Sequence, residues 1–122
     1  MSKKKLPGKP PSKEGEPPSK TIIRTSEFAT WLRKLGDANA QIRIDKAIDE
    51  FAKGKTGKVE VCRDKVSEIK VDYGTGYRVY FTEIGRVTAI LLGGGTKKGQ
   101  QADIDTAVKA AREYHKPPQT KR

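Results

Sequence analysis

Asp72-Tyr-Gly-Thr-Gly-Tyr-Arg-Val-Tyr-Phe81 is the most informative part of the chain, because it sets a glycine-hinged turn between two runs of alternating residues. From Ser67 to Tyr73, Ile69, Val71 and Tyr73 alternate with Glu68, Lys70 and Asp72, and the same period runs from Tyr77 to Glu83. A period of two is that of strands with one buried face. Gly74 and Gly76 supply the positive φ angles that a tight connection needs. With Thr75 at the tip, the expected register sets Tyr73 opposite Tyr77, Asp72 opposite Arg78 and Lys70 opposite Tyr80. Lys70, Arg78 and Tyr80 then share a cationic sheet face that the core does not require. Leu91-Leu-Gly-Gly-Gly-Thr-Lys-Lys-Gly-Gln-Gln101 reads as a hydrophobic strand that breaks into a flexible basic loop, returning Lys97 and Lys98 to the edge of that face.

Outward from this hairpin, Thr21-Ile-Ile-Arg-Thr25 is rich in β-branched residues and reads as a first strand, with Ser26 as the cap of a following helix. Phe28, Trp31, Leu32 and Leu35 form one helical stripe, which makes Trp31 a core anchor and lets Gly36 end the helix. Asp37 starts a second helix, with Ala40, Ile44, Ala47, Ile48 and Phe51 on one face, that stops at Gly54. Lys58 to Cys62 reads as a short strand or an extended loop. Ser67 to Tyr73, Tyr77 to Glu83 and Arg86 to Leu92 form a meander, and Gln101 to Tyr114 spaces Ile104, Ala107, Val108 and Ala111 as a last helix. This order predicts an α+β fold, a small sandwich in which an N-terminal strand and a helical hairpin pack on a mostly antiparallel sheet, with a C-terminal helix.

The chain has 122 residues, enough for one small domain. Residues 1–20 hold five of the seven prolines and six lysines against two glutamates, with Met1 and Leu6 the only sizeable apolar side chains. Such a segment cannot offset its ordering entropy, so a flexible basic tail is expected there, a folded domain over 21–114, and a second basic tail over 115–122. The net charge of +11 lies mostly in those tails. Basic tails beside a basic face favour polyanions, most simply nucleic acid, through release of condensed counterions. No apolar run approaches the ~18 residues of a spanning helix, and the lysine-rich start lacks the apolar segment of a signal peptide. A cytoplasmic protein without membrane partners is expected, and the lone Cys62 agrees.

One cysteine and one histidine cannot build a zinc site or a Cys-His pair, so no metal and no cofactor are expected. His115 reads as a solvated tail residue. Glu68 and Asp72, two apart on one strand face among lysines and arginines, read as paired surface charges. Arg78 stays open between a cross-strand ion pair with Asp72 and a functional charge. Gly93-Gly94-Gly95 lacks the spacing of a nucleotide-binding loop.

These residues carry a resemblance. Phe28-x-x-Trp31-Leu32, Arg43-Ile44, the block from Ser67 to Phe81, and Leu91-Leu92-Gly-Gly followed by Lys97, Gln100 and Asp103-Ile104 make the chain resemble, from about Phe28 to Ala107, the RelE/ParE superfamily of type II toxins. The likeness is greatest to the small addiction module killer proteins related to HigB. The resemblance implies a toxin of a type II toxin-antitoxin system, a ribosome-dependent messenger RNA endoribonuclease in which a 2′-hydroxyl attacks the adjacent phosphate. It implies that cations and a tyrosine replace the histidines of ordinary ribonucleases, with Lys70, Arg78 and Tyr80 as catalytic residues and Lys97, Lys98, Arg63 and Lys65 as RNA-binding ones. The implied partners are a cognate antitoxin and messenger RNA on the ribosome. The implied alternatives are a non-enzymatic ParE-like toxin that binds DNA gyrase, or a nucleic-acid-binding domain without catalysis. Against the pattern, Thr96 stands where the branch has aspartate, Gly99 where it has threonine, Lys70 where it has arginine, Glu68 where RelE has a second lysine, and Ile104 near the place of a catalytic tyrosine.

Overall fold

A computed structural model describes residues 19–116. The chain runs β1 (Thr21–Arg24), α1 (Ser26–Lys34), α2 (Ala38–Ala52), β2 (Val59–Arg63), β3 (Val66–Val71), β4 (Tyr77–Ile84), β5 (Thr88–Thr96) and α3 (Gln100–Arg112). The five strands form one sheet in the order β1-β5-β4-β3-β2, with β1 parallel to β5 and the other neighbours antiparallel. The segment Lys58 to Cys62, open between strand and loop, falls largely in an edge strand that starts one residue later, at Val59, and runs to Arg63. The stretch expected as a flexible tail over 1–20 lies outside the described residues, as does 117–122, except at its inner end. There Lys20 is docked: its N–H donates to the Ala52 carbonyl at 2.7 Å and its Nζ lies 2.7 Å from Glu83.

Each sheet face buries its own core. On one face α1 and α2 bring Phe28, Ile44, Ile48 and Phe51 against Ile69, Val79, Phe81 and Leu91. On the other, Ala107, Val108 and Ala111 of α3 cover Val66, Tyr80, Ile90 and Leu92. The helix spacings produce this directly, since a stripe at positions three and four apart presents one apolar side to a flat sheet. Thr25, rather than Ser26, caps α1: its Oγ1 accepts the Phe28 N–H at 3.1 Å and donates to the Leu91 carbonyl at 2.7 Å. Thr25 thereby ties the helix start to β5, a contact Ser26 is one residue too late to make. Asp37 caps α2 as expected, accepting from the Ala40 N–H at 3.1 Å.

The hairpin register differs from expectation by two residues. Val71 pairs with Tyr77, Lys70 with Arg78, Ile69 with Val79 and Glu68 with Tyr80. Gly74 and Gly76 do hold positive φ, at 60° and 91°. However, the Gly76 N–H bonds the Tyr73 carbonyl at 2.9 Å, so the turn spreads over Tyr73 to Gly76 and Asp72 drops out of the ladder.

The glycine run is also strand rather than loop. β5 continues through Gly93, Gly94 and Gly95 to Thr96, opposite Tyr80, Val79, Arg78 and Tyr77. A register shift between Tyr80 and Phe81 re-phases this end of the strand. A Cβ on Gly94 would lie 2.5 Å from the Trp31 ring, and one on Gly95 would run into an Asp103 carboxylate oxygen. Close approach from α1 and α3 on opposite faces is what requires glycine there. Trp31 is the expected core anchor, its ring 5.9 Å from Phe28 and 6.4 Å from Tyr77.

Candidate functional site

The hairpin turn, the ends of β3 and β4 and the residue after β5 enclose a polar cleft of about 470 Å³, lined by Lys70, Asp72, Tyr73, Tyr77, Arg78 and Lys97 together with the turn backbone. Three expected site cations thus meet in one place. Lys70 and Arg78 are cross-strand neighbours, and Lys97 follows Thr96, the partner of Tyr77.

The cations are not bare. Arg78 pairs with Glu68 through Nη1, in place of the expected Asp72, with side-chain exposures of 14% and 2%. Lys70 pairs with Glu60 at 2.8 Å and Asp72 with Lys58 at 2.7 Å. These partnerships hold the Glu60 and Asp72 carboxyls below the usual range, through Lys70 and Lys58 respectively. The physical cause lies in the register: Glu60 stands directly opposite Glu68, so each carboxylate reaches for a cation in the adjacent row. Glu68, expected on the surface, is instead a buried hub that also accepts from Gln100 Nε2 at 3.3 Å and Cys62 Sγ at 3.6 Å. Burial and the nearby Glu68 push the Cys62 thiol up to about 11, which leaves it protonated and inert at neutral pH. Lys97 makes no ion pair among the described residues.

Tyr80 departs from expectation most. It shares the face of Lys70 and Arg78, but α3 covers that face here, leaving Tyr80 1% exposed. Its hydroxyl is buried without a hydrogen-bond partner. Burial, then Glu68 and Asp103, raise its phenol well above the usual tyrosine value. The face expected to be free of the core is therefore half core. Lys98 is exposed beyond the cleft. Arg63 and Lys65 lie at the other end of β3, roughly 13 Å from Lys70 at the ordinary strand rise. There Arg63 is held by Asp64 and Asp105.

His115, expected as a solvated tail residue, is docked at that far end. Its Nε2 lies 2.8 Å from Thr82 Oγ1, and that hydroxyl donates to the Lys65 carbonyl at 2.6 Å. With the hydroxyl proton already committed, Nε2 must be the donor. Sequence reasoning missed Glu68 and Gln100 as partners of the site. The available signal was the parity of β3, which puts Glu68 on the face of Lys70 and Arg78.

Among the described residues no group of three or more His, Cys, Asp or Glu could hold a metal ion, and no helix is long and apolar enough to cross a membrane. Chemically, the cleft offers spare Arg78 N–H donors, one loosely paired ammonium and one unpaired ammonium. That set suits a phosphate or another oxyanion.

No family model matches the chain. An uncharacterized protein of Haemophilus influenzae is 37% identical over 92 residues, spanning 75% of this chain and 93% of its own length. Among solved structures, a variant of E. coli toxin RelE in the free state superposes with a TM-score of 0.61 at 18% identity, over 75% of this chain and 97% of that one. The RelBE2 toxin-antitoxin complex of Mycobacterium tuberculosis aligns with a TM-score of 0.43 at 21% identity, over 66% of this chain and 93% of that chain. The fold is RelE-like.

Proposed function

We propose that this chain, which belongs to one family with the uncharacterized Haemophilus influenzae protein and has a RelE-like fold, is the toxin of a type II toxin-antitoxin pair and cleaves messenger RNA on the ribosome. The supporting observation is the convergence of Lys70, Arg78 and Lys97 on one cleft. In this reading a phosphate of the message sits between the three cations. Arg78 is held by Glu68 through one nitrogen, and its remaining N–H donors stabilise charge as the 2′-oxygen bonds to phosphorus and the bond from phosphorus to the 5′-oxygen breaks, the proton lost by the 2′-hydroxyl being matched by one gained by the departing 5′-oxygen. The half-exposed Lys70–Glu60 pair is weak enough for a phosphate to displace the carboxylate. Lys70 then stabilises charge or moves the proton, and Lys97 holds the backbone. Tyr80, under α3, has no part in this reading. The cognate antitoxin covers the same basic cleft in the cytoplasm.

The burial of Tyr80 favours a second reading, a ParE-like toxin that binds DNA gyrase without chemistry, because it removes one proton-transfer group from the cleft. Inducing the protein in bacteria and mapping RNA ends separates the two. Codon-linked cuts in translated messages support the nuclease, whereas DNA breaks beside intact messages support the gyrase poison. Within that assay Lys70→Ala and Lys97→Ala are the informative variants, since neither removes a buried charge partner. Each should abolish or strongly weaken cleavage in a folded protein.

A further inference from the structure

The cleft holds an aromatic ring that the charge argument does not use. Tyr73 stands in the turn between β3 and β4, half-buried, among the residues that line the cleft with Lys70, Arg78 and Lys97. The guanidinium of Arg43, from α2, lies over its ring, 4.9 Å from the centroid. Arg43 itself is exposed and makes no ion pair among the described residues. A turn residue does not need an aromatic side chain, because Gly74, Gly76 and the Gly76–Tyr73 hydrogen bond already close the turn. Tyr77, the other tyrosine lining the cleft, is committed edge-on to Trp31. Tyr73 is therefore the ring at the cleft that the core does not claim.

We propose that Tyr73, braced by Arg43, is the platform on which a base of a single-stranded RNA stacks while Lys70, Arg78 and Lys97 hold its phosphates. A ring with a cation over one face is fixed in orientation and polarised, which suits it to receive a flat, electron-rich base. Stacking on one ring reads no base-pairing edge, so the platform selects for an unpaired nucleotide rather than for one base. An RNA duplex keeps its bases stacked on each other and presents none to the ring.

The inference rests on the RNA reading of the cleft, and one titration separates the two. Full-length wild type, Tyr73→Ala and Tyr73→Phe are titrated by fluorescence anisotropy with a short single-stranded oligoribonucleotide and with an abasic ribose-phosphate oligomer of the same length. Wild type and Tyr73→Phe should bind the base-bearing oligomer roughly tenfold more tightly than the abasic one. Tyr73→Ala should lose that preference while keeping its affinity for the abasic oligomer, whereas a purely structural role would weaken binding of both oligomers alike. A base preference that survives in Tyr73→Ala, or equal weakening on both oligomers, overturns the platform and leaves the RNA reading standing. Wild type that binds neither oligomer overturns both.

Discussion

Arg78 and Glu68 form the ion pair among the described residues with both partners largely buried, at 14% and 2% exposure. The pair joins the cleft to the α3 side of the sheet, because Glu68 also receives Gln100 from the first turn of α3. The arginine proposed to meet a phosphate is thus also the counterion of a buried carboxylate.

That double duty changes what Arg78→Ala tests. Removing one member of a buried pair leaves an uncompensated charge, so Arg78→Ala should lose about 3–5 kcal/mol of stability, and loss of activity alone would not distinguish role from collapse. Adding Glu68→Gln removes the stranded charge and should recover most of that loss. Urea unfolding of the two singles and the double checks this. A double variant no more stable than Arg78→Ala would show that the pair does not govern the effect.

The glycines of β5 should rank by what stands against them. Gly94→Ala drives a methyl into the rigid Trp31 ring and should cost about 1–3 kcal/mol. Gly95→Ala meets the tip of Asp103, which can swing aside, so it should cost less. Gly93 has nothing within 4 Å of its missing Cβ, and Gly93→Ala should be nearly neutral. Thermal melts of the three variants give the order. Equal losses at all three positions would mean that strand propensity, not the Trp31 contact, sets the cost.

Tyr80→Phe removes a buried hydroxyl that has no partner. The change should be neutral or stabilising by about 1 kcal/mol, since an unsatisfied polar group is relieved of its desolvation penalty. Growth arrest on induction should be unchanged. A folded Tyr80→Phe protein that no longer arrests growth would restore Tyr80 to the catalytic set.

Asp103 should make stability depend on pH in the sense opposite to the paired carboxylates. Burial against Gly95 raises its carboxyl above the usual aspartate range, so folding favours the protonated form. Its contribution is fully present below the ordinary aspartate value and is lost as pH rises through the raised native value. Asp103→Asn should therefore melt higher than wild type at about pH 7, with the difference closing near pH 3. Comparing variant with wild type at each pH cancels Glu50, Glu60 and Asp72, whose carboxyls are held low by Lys55, Lys70 and Lys58 and so lose stability as pH falls. A constant difference between the two proteins across that range would sink the argument.

Most elements, and the faces they present, were legible in the chain alone. The two-residue period around Lys70 and Arg78 and the three-and-four spacing of Phe28, Trp31 and Leu32 are local properties, set by backbone geometry that every strand and helix shares. The positive φ at Gly74 and Gly76 was legible for the same reason. Whatever depends on a neighbour distant in sequence had to wait for the folded chain. Where the turn closes set the register, and with it gave Arg78 to Glu68 and Asp72 to Lys58. Pairing with β4 made strand of an apparent glycine loop, and the approach of Trp31 and Asp103 explains why glycine stands there. The packing of α3 took Tyr80 out of the cleft, and His115 found Thr82 across 33 residues. Alternation names the face a side chain takes, but burial depends on which helix later covers that face.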